Sequence, residues 1–444
     1  MPMTVLIALF LLCADCRAQQ AVSLSLSGCE EAAFSSSHQL KSARAELAAA
    51  ISAENALLSP LYPRIAMEGW LKYSGVIPAM TLPIVGKQYL GDNWNYSIGP
   101  AAYWTVYDAG ARALAHESAD KLALAKEEEV KNISRQVALA ARMAYFRAQY
   151  SLERLYLVAG QHKLAAEQYR DISLNAAAGV KTRLDELMSH QQLLERGRQL
   201  RQARSDLSAA LRALCAVSGD ECGYDPSLPL DWRLNYRDYG IEPPTALVSA
   251  EPAAGLLEKM RRYAAAKPDF NSPGLRALEL SASSYRAAAQ SRLADTGPKI
   301  TLSARSALEY PNGPSLYSFG QNSAGAAVSF PLFESGKNGF LSQQQESMAL
   351  SADERRLQLV REIRRDFGEA ADAFASLEAQ QRLNIQAAKE AEEAARLTYD
   401  SYNAGRSTYL ELEAANLREL EAKTQTALTD AQMLMELALL ASLE

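Results

Sequence analysis

The chain repeats itself at a fixed spacing. Tyr103-Trp104-Thr105-Val106-Tyr107-Asp108-Ala109-Gly110 is echoed by Ser329-Phe330-Pro331-Leu332-Phe333-Glu334-Ser335-Gly336, an apolar stretch closed by an acid, a small residue and a glycine. Gly179 followed by Leu184-Asp185 is echoed by Gly405 followed by Leu410-Glu411. Gly336 lies 226 positions after Gly110, and Gly405 lies 226 after Gly179. The segment between the landmarks therefore keeps one length in both copies although its residues differ, and a mechanical constraint must hold that length. A repeat of this kind sets the architecture before any local pattern does.

The fixed-length segment reads as one long helix in each copy, over about 111–175 and about 337–401, because neither stretch contains proline and both consist mainly of strong helix formers. A helix of that length spans roughly 95 Å and must lie against others. Val130, Ile133, Val137, Ala140 and Ala144 alternate spacings of three and four, while Val360, Phe367, Phe374 and Ile363, Ala370, Leu377 step by seven. That is coiled-coil spacing, with alanines small enough for close approach. Gly179 and Gly405 suit the left-handed position after a helix. Returning helices are expected over about 182–217 and 408–442, opened by Thr182 and Thr408 as N-caps. They are too short to run the whole length of the long rod, so an earlier helix in each copy, Glu30 to about Ser59 and roughly Leu256 to Thr296, the latter broken by Pro268 and Pro273, is expected to stack end to end with them.

Stretches of period two lie between the short and long helices. Ile65, Met67, Gly69, Leu71 and Tyr73 share one face against Arg64, Ala66, Glu68, Trp70 and Lys72; Ile300, Leu302, Ala304 and Leu308 oppose Thr301, Ser303, Arg305 and Glu309. Period two means strand, and about ten residues is the length that crosses a bilayer when tilted. Each copy is expected to contribute one hairpin, about 64–107 and about 299–332, with Pro- and Gly-rich loops at Val76 to Asp92 and Pro311 to Gln321. Trp70, Tyr73, Trp94, Trp104, Tyr107 and Tyr310 near the strand ends fit a membrane girdle and also fit a soluble core. Four strands cannot close a barrel, and open edges in hydrocarbon would leave backbone groups unpaired. A membrane reading therefore requires several copies to pool strands.

A net charge of −6 gives no electrostatic case for nucleic acid. Val5 to Leu12 is a short apolar run followed by Cys16-Arg17-Ala18, so residues 1–18 read as a signal peptide that lacks the usual basic start. Leu26-Ser27-Gly28-Cys29 looks like a lipoprotein cleavage box, but it is distant from the apolar run, and Cys29 is expected to sit in the first helix instead. Cys215 and Cys222 are expected to form a disulfide in an oxidising compartment, worth about 2.5 kcal/mol for so short a loop. The segment 218–252, rich in Gly, Pro, Tyr and Asp, reads as an irregular belt between repeat 1 (19–217) and repeat 2 (253–444). No Gly-x-Ser-x-Gly, phosphate-binding glycine loop or metal-ligand spacing occurs, so neither catalysis, a cofactor nor a metal is expected.

With repeat, hairpins, rods and leader assembled, the chain resembles the TolC-like outer membrane efflux protein family over about residues 20–444. The strand-to-helix motifs at Val106 to Gly110 and Pro331 to Gly336 resemble that family's Pro-Leu-Phe-Asp-Gly-Gly pattern, with Thr105 in place of the first proline; Gly, four residues, Leu, acid is its turn motif. Leu24-Ser25-Leu26 followed by Glu30-Glu31-Ala32 is its opening. The resemblance implies a mainly α, mixed fold that assembles as a homotrimer: a twelve-stranded outer membrane β-barrel continued by a twelve-helix periplasmic α-barrel. It implies a passive exit duct for efflux or type I secretion, served by a periplasmic adaptor (membrane fusion) protein and an inner-membrane pump of RND, ABC or MFS type. Gly179, Thr182, Leu184, Gly405, Thr408 and Leu410 would form the adaptor-docking tip. Asp185 and Tyr402 would tie the inner and outer helix pairs, and Glu411 would line the constriction, where threefold repetition makes an acidic ring that selects cations. Ser407 stands where some members carry arginine, and Ala414 replaces a second acid beside Glu413, which argues against a salt-bridged lock of the usual geometry. Plain helix-start chemistry also accounts for Asp185 and Glu411. The competing functional reading is a periplasmic adaptor or a structural coiled-coil envelope protein; adaptors carry one long hairpin flanked by compact β domains, whereas this chain carries two and no such domains.

Overall fold

The computed structural model describes residues 22–84, 86–219 and 248–444. Residues 1–18, Cys222 and most of 218–252 thus lie outside the described residues. In chain order the elements are β1 (Val22–Leu24), α1 (Leu26–Ser36), α2 (His38–Leu58), β2 (Arg64–Tyr73), β3 (Ala79–Leu82), β4 (Gly86–Tyr89), β5 (Trp94–Tyr107), α3 (Ala111–Ala177) and α4 (Arg183–Ser218). There follow β6 (Val248–Ala250), α5 (Ala253–Met260), α6 (Pro273–Ala294), β7 (Lys299–Tyr310), β8 (Phe319–Ser329), α7 (Lys337–Asn403) and α8 (Tyr409–Leu443). The two long helices, α3 and α7, contain 67 residues each.

The chain divides into two compact units, and neither is a repeat: each draws on both copies. One comprises His38–Ser134 and Asp269–Arg365. Its centre is an antiparallel sheet in the order β2-β5-β7-β8, so the two hairpins join along β5 and β7. Period two acts across the whole sheet. Register places Ile65, Met67 and Leu71 opposite Ala102, Pro100 and Tyr96, and Ile98 beside Leu308. This apolar face is open, with Ile65 77% and Met67 73% exposed. The other face carries a polar network: Arg305 donates to Ser97 Oγ at 2.8 Å, Ser97 donates to Glu309 Oε1 at 3.2 Å, and Tyr103 donates to Glu68 Oε2 at 2.9 Å. The loop expected over Val76 to Asp92 contains a small hairpin of its own, β3 with β4.

At the strand-to-helix junctions both copies make the same unusual turn. Ala109 and Gly110 have φ of 53° and 85°, and Ser335 and Gly336 have 52° and 77°. Two left-handed residues in succession are what the acid-small-Gly motif encodes. Asp108 fastens the first junction by accepting from the backbone and guanidinium of Arg112, which also reaches the Thr105 carbonyl.

The other unit comprises Met1–Ser37, Arg135–Pro268 and Asp366–Glu444. Its core is a helical seam. On α3 the buried positions Val137, Ala141, Ala144, Ala148, Leu152, Leu155 and Ala159 recur at spacings of three or four, and on α4 Leu200, Ala203, Leu207, Leu211 and Leu214 do the same. From Ala144 onward they cluster with Leu434, Leu437, Ala438 and Leu440 of α8 and Ala370 and Phe374 of α7. The helix expected from Glu30 to Ser59 is two helices. It starts earlier, because Ser25 Oγ accepts from the Gly28 N–H, and it breaks at Ser37, whose ψ of 111° leaves the helix. A parallel pair, β1 with β6, seats the start of the described chain: Tyr145 donates its hydroxyl to the Leu24 carbonyl, and Leu26 N–H donates to Glu251. Cys29 lies in α1, buried and unpaired. Cys215 is disulfide-bonded.

Candidate functional site

The two turns that join long and returning helices lie in the helical unit and share one construction. After α3, Gly179 takes φ of 76°; its N–H donates to Ala176 O at 3.0 Å and the Val180 N–H to Asn175 O at 2.9 Å. After α7, Gly405 takes φ of 71°; its N–H donates to Tyr402 O at 3.1 Å and the Arg406 N–H to Ser401 O at 2.9 Å. This pair of bonds around a left-handed glycine satisfies carbonyls that the helix leaves open.

Each turn then enters its return helix through a capping box. Thr182 Oγ1 accepts from the Asp185 N–H at 3.1 Å while Asp185 Oδ2 accepts from the Thr182 N–H and hydroxyl. Thr408 Oγ1 accepts from the Glu411 N–H at 3.3 Å while Glu411 Oε2 accepts from the Thr408 N–H at 2.8 Å. Both acids thus satisfy orphan amide groups and sit at the positive end of a helix dipole. Two residues past each threonine a leucine points outward, Leu184 at 65% and Leu410 at 64% exposure.

The structure does not join Asp185 to Tyr402 by a hydrogen bond. The Tyr402 hydroxyl is buried with no hydrogen-bond partner among the described residues. Burial, aided by the negative charge of Asp185, pushes this phenol up to about 12. What reaches Tyr402 is Lys181. Its Nζ lies 3.7 Å above the ring centre and donates to the Tyr402 carbonyl at 3.2 Å. The ammonium therefore meets a π face and the negative end of α7 together. Tyr402 in turn meets Tyr409 edge to face, with ring centres 6.0 Å apart, in a small cluster with Ile172 and Leu412.

Glu413 is turned inward. It accepts from Arg196 Nη2 at 2.9 Å, and Arg196, only 2% exposed, gives a second bond to Gln199. Burial raises the Glu413 carboxyl, and Arg196 opposes that rise.

Sequence reasoning missed Lys181 and Arg196. For Lys181 a signal existed: it stands 226 positions before Ser407, the place where the second copy lacks a cation, so the positive charge sits on the other turn. For Arg196 none existed, since an arginine in a polar helix reads as a surface residue.

The sequence profile of the outer membrane efflux protein family matches residues 31–220 and 270–443. No curated protein matches the chain significantly. Among solved structures, the Campylobacter jejuni CmeC outer membrane channel superposes with a TM-score of 0.74 at 13% identity, over 94% of this chain and 84% of that one. The outer membrane protein VceC of Vibrio cholerae gives 0.71 at 17% identity, covering 94% and 95%. The open state of the Neisseria gonorrhoeae MtrE outer membrane channel gives 0.72 at 17% identity, covering 94% and 88%.

Proposed function

Since the chain belongs to the outer membrane efflux protein family, we propose that three copies pool their sheets and long helices into one duct, closed at the turns built around Gly179 and Gly405. The protein is an outer membrane channel with a helical extension in the periplasm, and it serves as an exit duct for efflux. Members of the family act in tripartite systems with an adaptor and an inner-membrane pump.

The observation that carries the trimer is the sheet. Its β2 and β8 are edge strands, and its apolar face is open. In hydrocarbon an unpaired edge costs several kcal/mol per group, so edges of neighbouring copies pair, giving twelve strands from three chains. The polar face then lines the lumen.

In the helical unit the turn residues Gly179, Thr182, Leu184, Gly405, Thr408 and Leu410 form the adaptor-docking surface, with the two exposed leucines as its apolar contacts. Glu411, exposed at the start of α8, lines the constriction in threefold repetition, and its capping bond holds the carboxylate in place. Asp185 acts on Tyr402 through charge, and Lys181 supplies the tie between the two helix turns. A leader over residues 1–18 directs export, and the disulfide of Cys215 suits the oxidising periplasm.

Planar-bilayer recording of the purified protein tests this reading. Channels selective for cations, with block by divalent ions that is lost in Glu411→Gln, are expected; a protein that forms no channels and runs as a monomer in detergent overturns it.

A further inference from the structure

At the end of the sheet away from the helices, the apolar face closes in a belt of aromatic rings. Register pairs Tyr73 with Trp94 and Tyr96 with Tyr310, on the face that also carries Leu71, Ile98 and Leu308. The first pair meets edge to face with ring centres 5.1 Å apart, and the second stacks at 5.3 Å. Past this belt residues 74–91 carry a single charge, Lys87. A loop that stands in water is ordinarily polar, so something must cover so apolar a stretch.

The β3–β4 hairpin lies in this stretch, and its root is firmly held. The Ser74 N–H donates to Asn93 O at 2.7 Å, Asn93 Nδ2 donates to the Ser74 carbonyl at 2.8 Å, and the Leu90 N–H donates to Pro78 O at 2.8 Å. Tyr310, whose ring lies on the apolar face, donates its hydroxyl to Asp92 Oδ2 at 2.7 Å, so the root is drawn to that side of the sheet. Beyond the root the hairpin is a sheet of its own, and among the described residues no hydrogen bond or ion pair ties 79–89 to another element. Register puts Met80 and Leu82 on one side of it and Thr81, Lys87 and Tyr89 on the other. Lys87 Nζ lies 5.2 Å from the Tyr89 ring centre. Ile84, at the turn, is 96% exposed.

We propose that this hairpin lies on the outer surface of the membrane beside the barrel rim, with Met80, Leu82 and Ile84 in the lipid and Lys87 among anionic headgroups. Lipid is the occupant that continues the apolar sheet face across the aromatic belt, where amphipathic rings gather at the headgroup level. A two-sided element at that level sinks its apolar side roughly 5–10 Å into the headgroup boundary. A lysine beside it is attracted by phosphate-bearing lipid. The proposal rests on the reading of the apolar sheet face as lipid-facing, and it adds a membrane contact outside the barrel wall.

Fluorescence quenching of the full-length protein in vesicles of phosphatidylethanolamine and phosphatidylglycerol tests it. A nitrobenzoxadiazole label is placed at Ile84→Cys, Thr81→Cys or Met67→Cys, while the buried Cys29 stays unlabelled. Lipid nitroxide near the head of the acyl chain is expected to remove about half of the emission at Ile84→Cys and little at Thr81→Cys, which soluble iodide should quench instead. Lys87→Glu should weaken the lipid quenching at Ile84→Cys in these vesicles; quenching that survives it unchanged overturns the headgroup contact. Iodide quenching at Ile84→Cys would put the hairpin in water. Emission shielded from both quenchers would put it against protein, in the lumen or on a second copy, and either result overturns the inference. Met67→Cys separates this from the duct. If nitroxide near the chain end leaves that label bright, the sheet is not in lipid and the duct reading itself fails; if it quenches there while Ile84→Cys escapes, only the hairpin assignment falls.

Discussion

At the scale of single residues, burial and backbone geometry decide what each position tolerates. Gly99 shows this on β5: a Cβ built there would lie 2.0 Å from the Ser306 carbonyl oxygen and 2.5 Å from the Ala307 Cα, both backbone atoms that cannot swing aside. Gly99→Ala must therefore push β5 from β7, the pairing that joins the two hairpins, and we expect it to abolish heat-resistant oligomers on gels while Gly320→Ala, which meets nothing within 4 Å, leaves them intact. Cys29 is a second case. Burial, with Glu30 beside it, pushes the thiol up to about 11, so it stays protonated at neutral pH and, packed in α1, should resist maleimide until the protein unfolds. Labelling of the native protein at pH 7.5 as fast as in denaturant would contradict that packing. Such residue-level facts were the least legible in the sequence. Nothing in the letters separates Arg196, which is buried, from Arg198, which is 71% exposed, because the choice depends on which face of α4 meets α8.

At the scale of elements, much more could be read. The seam positions Val137, Ala144, Ile363 and Ala370 are buried because helix period alone puts them on one side of a rod. The face of β2 followed from period two in the same way. What stayed hidden were elements too short for any period to show, namely β1 with β6, and the β3–β4 hairpin inside a loop rich in proline and glycine. The capping boxes give a direct prediction. Thr408→Ala removes the acceptor for the Glu411 N–H and should cost about 1 kcal/mol of helix stability, visible as a lowered Tm. The half-buried acids of this unit give a pH dependence. Burial raises the carboxyls of Glu153, Asp430 and Glu413, with Asp430 adding to the rise at Glu153. Folded-state values above the unfolded ones mean that the folded protein holds these protons more tightly. Their contribution is fully present below the ordinary carboxylate range and is lost as pH rises through the raised values. Asp430→Asn, which keeps an acceptor for Gln381, should therefore raise the Tm at pH 7.5 more than at pH 5; an equal shift at both would show that charge is not the cause.

For the whole molecule the question is which face of the sheet meets lipid, and the two faces of β2 to β8 answer it differently for the same substitution. A soluble protein buries the apolar face and wets the polar one. Here Ile65, Met67, Leu71 and Ile98 lie open, while Ser97, Arg305 and Glu309 bond to one another on the opposite side. In a barrel of pooled strands the open face lies in hydrocarbon, and a cation at mid-strand costs about 2–4 kcal/mol there, whereas the lumen accepts charge. Met67 sits near the middle of β2 on the apolar face, and Ser323 of β8 faces Arg305's side of the sheet through their direct pairing. Met67→Arg should therefore strip the proposed assembly from the outer membrane fraction, while Ser323→Asp, an acid placed opposite Arg305, should leave assembly intact and alter only ion selectivity. Were both variants to assemble equally well, the apolar face would not be in lipid, and the strands would have to close in some other way.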